Sequence, residues 1–353
     1  MNIQLSDHFN YKKLFLFTLP SVVMMVFTSV YCVVDGFFVS NFAGKTAFAA
    51  INLIMPFIMI LGGIGFMIGT GGSALVSYTL GTGDKEKANR YFSMMVYFTI
   101  LAGILLTVLG IIFVRPIAEL FGADESMMDT CVLYGRIVIA FNAAFMLQNI
   151  FQSFFVVAEK PRLGLIVTIA AGVTNMVLDA LFVGVFKWGI VGAALATGIS
   201  QSIGGLLPLL YFALPNNSPL QLTRTGFELA PLLKASSNGC SELMSNVASS
   251  LIGIVYNYQL MRLGGENAVA TYGVLMYIQF VFIAIFIGYS VGSAPIIGYH
   301  YGAGNFKELQ NMRRKSLKIM SISGVLMAIL GFTLAPVISA IFVGYDAELL
   351  SMT

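Results

Sequence analysis

"GGSALVSYTLGTGD", residues 71–84, lies over "GSAPIIGYHYGAGN", residues 292–305, without a gap. Gly71/Gly292, Tyr78/Tyr299, Gly81/Gly302 and Gly83/Gly304 coincide at an offset of 221 residues. Upstream, "GKTAFAAINLIMPF" (44–57) meets "GENAVATYGVLMYI" (265–278) at the same offset, adding Gly44/Gly265, Ala47/Ala268, Ala49/Ala270 and Met55/Met276. Ile64/Ile285 falls between the two windows. Composition alone would give about three identities here, so the register points to an internal duplication.

The repeated unit is built for lipid. The chain has 353 residues, of which 58% are hydrophobic and 10% charged, and its mean hydropathy is +0.87. A soluble chain would carry roughly a quarter charged residues. Nine apolar stretches are long enough to cross a bilayer, roughly 14–39, 46–70, 91–113, 131–157, 163–185, 189–213, 235–261, 268–293 and 316–343. The first is too long for a signal-peptide core and has no small-residue cleavage site behind it, so it is expected to stay as helix 1. Cys32, Cys131 and Cys240 are scattered among these stretches and offer no disulfide or zinc framework.

Charge sorts by side. Lys12, Lys13, Lys85, Lys87, Arg90, Lys160, Arg162, Arg224, Lys234, Lys307, Arg313, Arg314, Lys315 and Lys318 fall at alternate helix ends, 14 of the 19 basic residues. Lys45, Arg115, Arg136, Lys187 and Arg262 take the other side. The positive-inside rule then places the N-terminus in the cytoplasm of a multi-pass plasma (inner) membrane protein.

An even number of helices per repeat gives both copies one orientation, the parallel-repeat plan of secondary transporters. The expected fold is all-α and polytopic, with two pseudo-repeated six-helix bundles, the second incomplete, and nine transmembrane helices. Residues 1–213 form the first bundle, 214–234 a cytoplasmic linker rich in proline and polar residues, and 235–353 a partial second bundle of three helices. The second copy stops at the equivalent of residue 132, which reads as an incomplete version of a twelve-helix plan or as a natural truncation of one.

Buried charge marks the candidate site. Of 16 acidic residues, only Asp35, Asp179 and Glu242 lie well inside spanning stretches. A charge at such depth costs at least about 2.5 kcal/mol and usually faces protein or an aqueous cavity. Asp35, Asp179 and Thr197 each lie seven or eight residues from the outer end of their helices, roughly 10–12 Å deep at 1.5 Å per residue. Tyr31 precedes Asp35 by one turn, and Asn175 precedes Asp179 by one turn. Two close carboxylates in a dry site cannot both ionise cheaply, so the layer is expected to take a proton or to coordinate a hard cation such as Na⁺. Glu242, in "NGCSELMSN", lies in the inner half of the second bundle as a secondary acidic position. Pro20 removes a backbone hydrogen bond inside helix 1 and is expected to kink it, a candidate hinge.

Other signals are weaker. "GTGD" (81–84) matches the GxGD pattern of intramembrane aspartyl proteases, but Asp84 opens the basic loop "DKEKANR" and reads as a turn. The glycines of "GGIGFMIGTGG" (62–72) point to close helix packing.

"SVYCVVDGFFVSNFAG", the "LGTGDKEKA" loop, Asn175 with Asp179, Thr197 in "GAALATG" and the "GCSELMSN" stretch together resemble the multidrug and toxic compound extrusion (MATE) transporters. The resemblance covers the whole chain, as helices 1 to 9 of the family's twelve. It implies two bundles around a central cavity and a cation-driven antiporter that exports amphipathic, often cationic drugs by alternating access. Carried over by position, Asp35, Asn175, Asp179 and Thr197 would form the first-bundle cation site with Tyr31 beside it. Pro20 matches the family's bending proline, and Glu242 an acidic position of helix 7. The expected coupling ion is H⁺ or Na⁺, with no other cofactor, no enzymatic activity and no nucleic acid. The expected partners are a small amphipathic substrate and membrane lipid, with a monomeric chain. Two rivals stand beside this reading. A flippase for lipid-linked oligosaccharides would need basic residues lining the cavity, and helices 1, 2, 7 and 8 offer none at depth. An intramembrane aspartyl protease would share the two-carboxylate chemistry but not its flanking motifs.

Overall fold

The computed structural model describes residues 3–39, 42, 45–123 and 125–343. Nine α-helices follow in order among the described residues: α1 (Tyr11–Phe38), α2 (Lys45–Gly81), α3 (Lys85–Leu120), α4 (Glu125–Ala140), α5 (Asn142–Val157), α6 (Pro161–Asp179), α7 (Gly189–Ala213), α8 (Leu229–Gly302) and α9 (Phe306–Val343). Among the described residues there is no strand. Among the described residues, seven helices are long and apolar enough to cross a membrane, and the bent α4–α5 pair makes an eighth candidate.

Three features depart from the expected spans. Residues 131–157 were expected as one helix, but the chain turns by 54° between α4 and α5. Phe141 sits at the break with φ −97° and ψ 7°, where its amide bonds back to Val138 O rather than one residue further. Asn142, a weak helix former, opens α5. The second departure is α2, which continues to Gly81 through small residues that hydropathy scores poorly. The third is α8, whose helical backbone runs through the outer loop expected at 262–267. No proline interrupts it between Pro231 and Pro295. It nevertheless doubles back. The rings of Tyr256 and Tyr272 stack with centroids 5.4 Å apart, whereas sixteen residues of straight helix would separate them by about 24 Å. Both limbs then flank α2. The first limb, with Ser241, Glu242, Ser245 and Asn246, is too polar to stand among the membrane-span candidates.

The two halves meet through glycines, and the contacts follow the repeat. A methyl group on Gly81 would strike Tyr299 O, and one on Gly302 would strike Tyr78 O. Positions 81 and 302 are repeat equivalents, as are 78 and 299, so the contact is reciprocal. Gly71 packs on Ala235 and Gly239, while its equivalent Gly292 packs on Thr18, itself 221 residues before Gly239. Helix backbones approach this closely only where no side chain intervenes.

Packing within the first half divides into two layers. Phe92, Phe151, Phe154 and Phe212 fill one, with Phe92 edge-on to Phe154 at 4.8 Å and to Phe212 at 5.0 Å. Ile51, Ile54, Val114, Tyr134, Val138 and Val183 fill the other. Leu101, Ile104, Leu105, Val108 and Ile112 form an exposed apolar stripe on α3, the face suited to lipid.

The basic helix ends converge on one end of the molecule. Gln221 N donates to Asn89 Oδ1 at 2.9 Å and Thr223 N to Ser93 Oγ at 2.8 Å. The N-terminal segment crosses between the halves there. Leu5 N donates to Glu159 Oε1 at 2.7 Å, on the α5–α6 loop. Four residues later, Phe9 N donates to Glu308 Oε1 at 3.0 Å, while Asn311 Nδ2 and Lys315 Nζ donate to Phe9 O at 3.1 and 2.5 Å. His8 Nδ1 lies 2.6 Å from Glu308 Oε2. Leu5 and Phe9 are buried in a cluster with Phe17, Val156, Ile296 and Met312, so the segment is a strap with a core of its own. Removing the Glu308 carboxylate strands the buried Phe9 amide. Glu308→Ala is expected to destabilise the fold by about 2–3 kcal/mol, read as a lower Tm of detergent-solubilised protein, with Glu308→Gln intermediate.

Candidate functional site

Asp35 sits near the end of α1 and Asp179 is the last residue of α6 before a π-helical turn, Ala180–Val185. π turns widen the helix and recur at functional positions. Here the turn carries Phe182 onto Trp188, stacked at 4.9 Å, at the end opposite the basic residues. The two carboxyl groups are neighbours across α1 and α6, each acting electrostatically on the other. Asp179 is fully buried, and neither of its oxygens finds a donor among the described residues; nor does Asp35 Oδ1. Among the described residues, no basic side chain enters the interactions of either acid.

The neighbours are polar. Asn175, one turn before Asp179, is buried with its Oδ1 unpartnered. Tyr31 packs its ring on Gly172 of α6, which brings α1 and α6 close, and its hydroxyl is approached by Gln148 and Thr28. The helix contact that joins the acids therefore depends on a glycine one turn before Asn175. Thr197 is half-buried on α7, which packs along α6, and its hydroxyl makes no hydrogen bond among the described residues. The structure thus gathers Asp35, Asp179, Asn175 and Tyr31 in one place and puts Thr197 on the adjoining helix.

Glu242 stands apart. It lies half-buried on the first limb of α8, beside Leu243, which meets Gly63 of α2, and it takes no part in the interactions of the aspartates. Pro20 is buried inside α1, which stays helical from Tyr11 to Phe38. Its neighbours Thr18, Ser21 and Val22 carry the contacts with Gly292 and Gly288 of α8, so the candidate hinge lies where the halves meet.

Four further buried polar residues of the first half were not singled out from the sequence. Tyr134 on α4 is fully buried with an unpartnered hydroxyl and interacts electrostatically with both Asp35 and Asp179. Asn142 Oδ1, Gln148 Oε1 and Gln201 Oε1 are likewise buried and unpartnered. Gln148 lies against Gly204 of α7 and so spans from Tyr31 to that helix. The missed signal was amide density: Asn142, Gln148, Asn149 and Gln152 share one apolar stretch. Buried polar atoms are nearly always satisfied in native structures, so the unpartnered oxygens of Asp35, Asp179 and Asn175, with Tyr134 beside them, suit a proton or a positively charged group.

Comparison with known proteins agrees with this architecture. The Multidrug export protein MepA of Staphylococcus saprophyticus is 25% identical over 346 residues, covering 97% of this chain and 75% of the relative. MepA of Staphylococcus haemolyticus is 24% identical over 315 residues, covering 89% of this chain and 68% of the relative. Among solved structures, a MATE protein in complex with MaL6 superimposes with a TM-score of 0.90 at 20% identity, over 98% of this chain and 77% of its own. An outward-facing multidrug resistance MATE family transporter of the MOP superfamily gives 0.89 at 21% identity, over 98% and 78%. The MatE family profile matches residues 20–181 and 243–353, the greater part of both halves. The chain belongs to the MatE family of transporters.

Proposed function

We propose that this chain is a secondary active antiporter that exports amphipathic, often cationic compounds in exchange for H⁺ or Na⁺ by alternating access. Residues 1–213 act as one bundle and 235–353 as the other half, joined by the 214–234 linker, with the basic end facing the cytoplasm. The observation that carries the reading is the Asp35–Asp179 pair: two facing carboxyls, orphaned oxygens, and no basic side chain to neutralise them. Two carboxylates at this separation must share a proton or a cation. Asn175, Thr197 and Tyr31 supply further oxygens of the kind that hydrate Na⁺, while a shared proton would serve H⁺ coupling equally.

Exchange follows from differential affinity. A ligand shifts a two-state equilibrium only by preferring one state. A cation that favours one arrangement of the acidic layer, and a substrate that favours the other, displace each other. The multidrug export named for the staphylococcal relatives supports the substrate class.

The test is efflux of a lipophilic fluorescent cation from proteoliposomes with an imposed ΔpH, an imposed Na⁺ gradient, or neither. Efflux is expected under one gradient and should stop when that gradient is collapsed. Efflux indifferent to both gradients would overturn the reading, and cleavage of a transmembrane peptide by the same preparation would favour the aspartyl protease instead.

A further inference from the structure

A crevice of about 700 Å³ opens at the basic end, between the start of α6, the end of α7 and the N-terminal strap. Its rim carries Lys160, Arg162 and Asn217, and its floor Leu16, Leu163 and Ile166. Neither Lys160 nor Arg162 has an ion pair among the described residues. Glu159 is also at the rim, but its carboxylate is turned to the Leu5 amide at 2.7 Å. Burial pushes the Glu159 carboxyl up from the ordinary range, opposed by the Leu5 amide and Lys160. Asp7, the other nearby acid, pairs with Lys13 at 3.2 Å. The rim is therefore net positive. Pro161 opens α6 and no side chain caps that helix, so its positive dipole end faces the same space.

The floor leads into the membrane face. Ile166, Ile169, Val173 and Val177 follow at helical spacing along α6, and all are exposed. A cationic rim above an apolar strip, at the end of a spanning helix, matches a lipid rather than a soluble anion. We propose that this crevice binds an anionic phospholipid, its phosphate between Lys160 and Arg162 and one acyl chain along Leu163 and Ile166. Asn217 is placed to donate to the glycerol or headgroup oxygens. The proposal requires only that the chain spans a membrane, and stands apart from drug transport.

The test is native mass spectrometry of delipidated protein offered dioleoylphosphatidylglycerol, dioleoylphosphatidylcholine or inorganic phosphate separately. Phosphatidylglycerol should be retained, and phosphatidylcholine and phosphate should not. Lys160→Gln/Arg162→Gln should weaken retention about thirtyfold, since each basic group near a charged lipid surface contributes roughly fivefold. Lys307→Gln/Arg313→Gln, the same charge loss away from the crevice, should change nothing. If the first double variant is not monodisperse, Arg162→Gln alone, at an exposed position, should weaken retention about fivefold. Equal retention of phosphatidylcholine, retention of inorganic phosphate alone, or equal losses in both double variants would each overturn the proposal.

Discussion

Asp179→Asn should abolish gradient-driven export while leaving a folded protein that melts at a higher temperature than the parent. The substitution keeps the shape of the side chain and removes one of two acids that face each other without a cationic partner. An amide can donate to Asp35, so the orphaned oxygens acquire a partner and the like-charge conflict disappears. Stability therefore rises for the same reason that function is lost. Coupling between ion and substrate sites is typically worth about 1–3 kcal/mol, or roughly 5–150-fold in affinity. Loss of that coupling leaves substrate exchange indifferent to the gradient. The check is paired: Tm in detergent and efflux in proteoliposomes. Lower stability with unchanged coupled efflux would remove Asp179 from the mechanism. Asp35→Asn should behave alike, and the double variant should lose little more than either single one, because the pair acts as a unit.

How far the sequence revealed this arrangement depends on which physical signal each part used. Asp35, Asn175 and Asp179 were legible because a charge in an apolar stretch is expensive and therefore conspicuous, and helix ends gave their depth. Their meeting was legible only as matched depth. The structure adds the reason for contact, Gly172 under the Tyr31 ring, which no hydropathy pattern signals. Tyr134 and Gln148 escaped notice because neutral polar groups perturb hydropathy little, and they lie on either side of a 54° turn at Phe141 that hydropathy does not signal. The same limit explains α2: residues 71–81 are too small and polar to read as a span, yet Gly71 and Gly81 bring its backbone directly against that of α8. Glu242 was legible both as an unusual acid in an apolar stretch and as separate from the aspartates, because helix depth and bundle place it in the inner half of the second copy.

Gly302→Val should force apart the basic ends of the two halves and, with them, the closed arrangement seen here. A Cβ at Gly302 meets Tyr78 O and its backbone, atoms that no rotamer change can move away. Overpacking a tight contact costs typically about 1–3 kcal/mol, enough to shift a two-state equilibrium by roughly 5- to 150-fold. Because Gly81 makes the equivalent contact with Tyr299, Gly81→Val should produce the same shift, and one explanation must serve both variants. The measurement is labelling of a cysteine at Ser77, buried at this contact on α2, by a membrane-impermeant thiol reagent applied to the basic end. That test uses a background in which Cys32, Cys131 and Cys240 are replaced by alanine. Both valine variants should label faster than the parent, whereas Gly226→Val, in the linker with open space around it, should not. The strap opposes the same opening, since Leu5 and Phe9 hold Glu159 of one half and Glu308 of the other. Deleting residues 3–9 should therefore add to the labelling rate of Gly302→Val. Faster labelling in only one of the two valine variants would mean that the repeat-related contacts are unequal, and that the halves do not close about a shared axis.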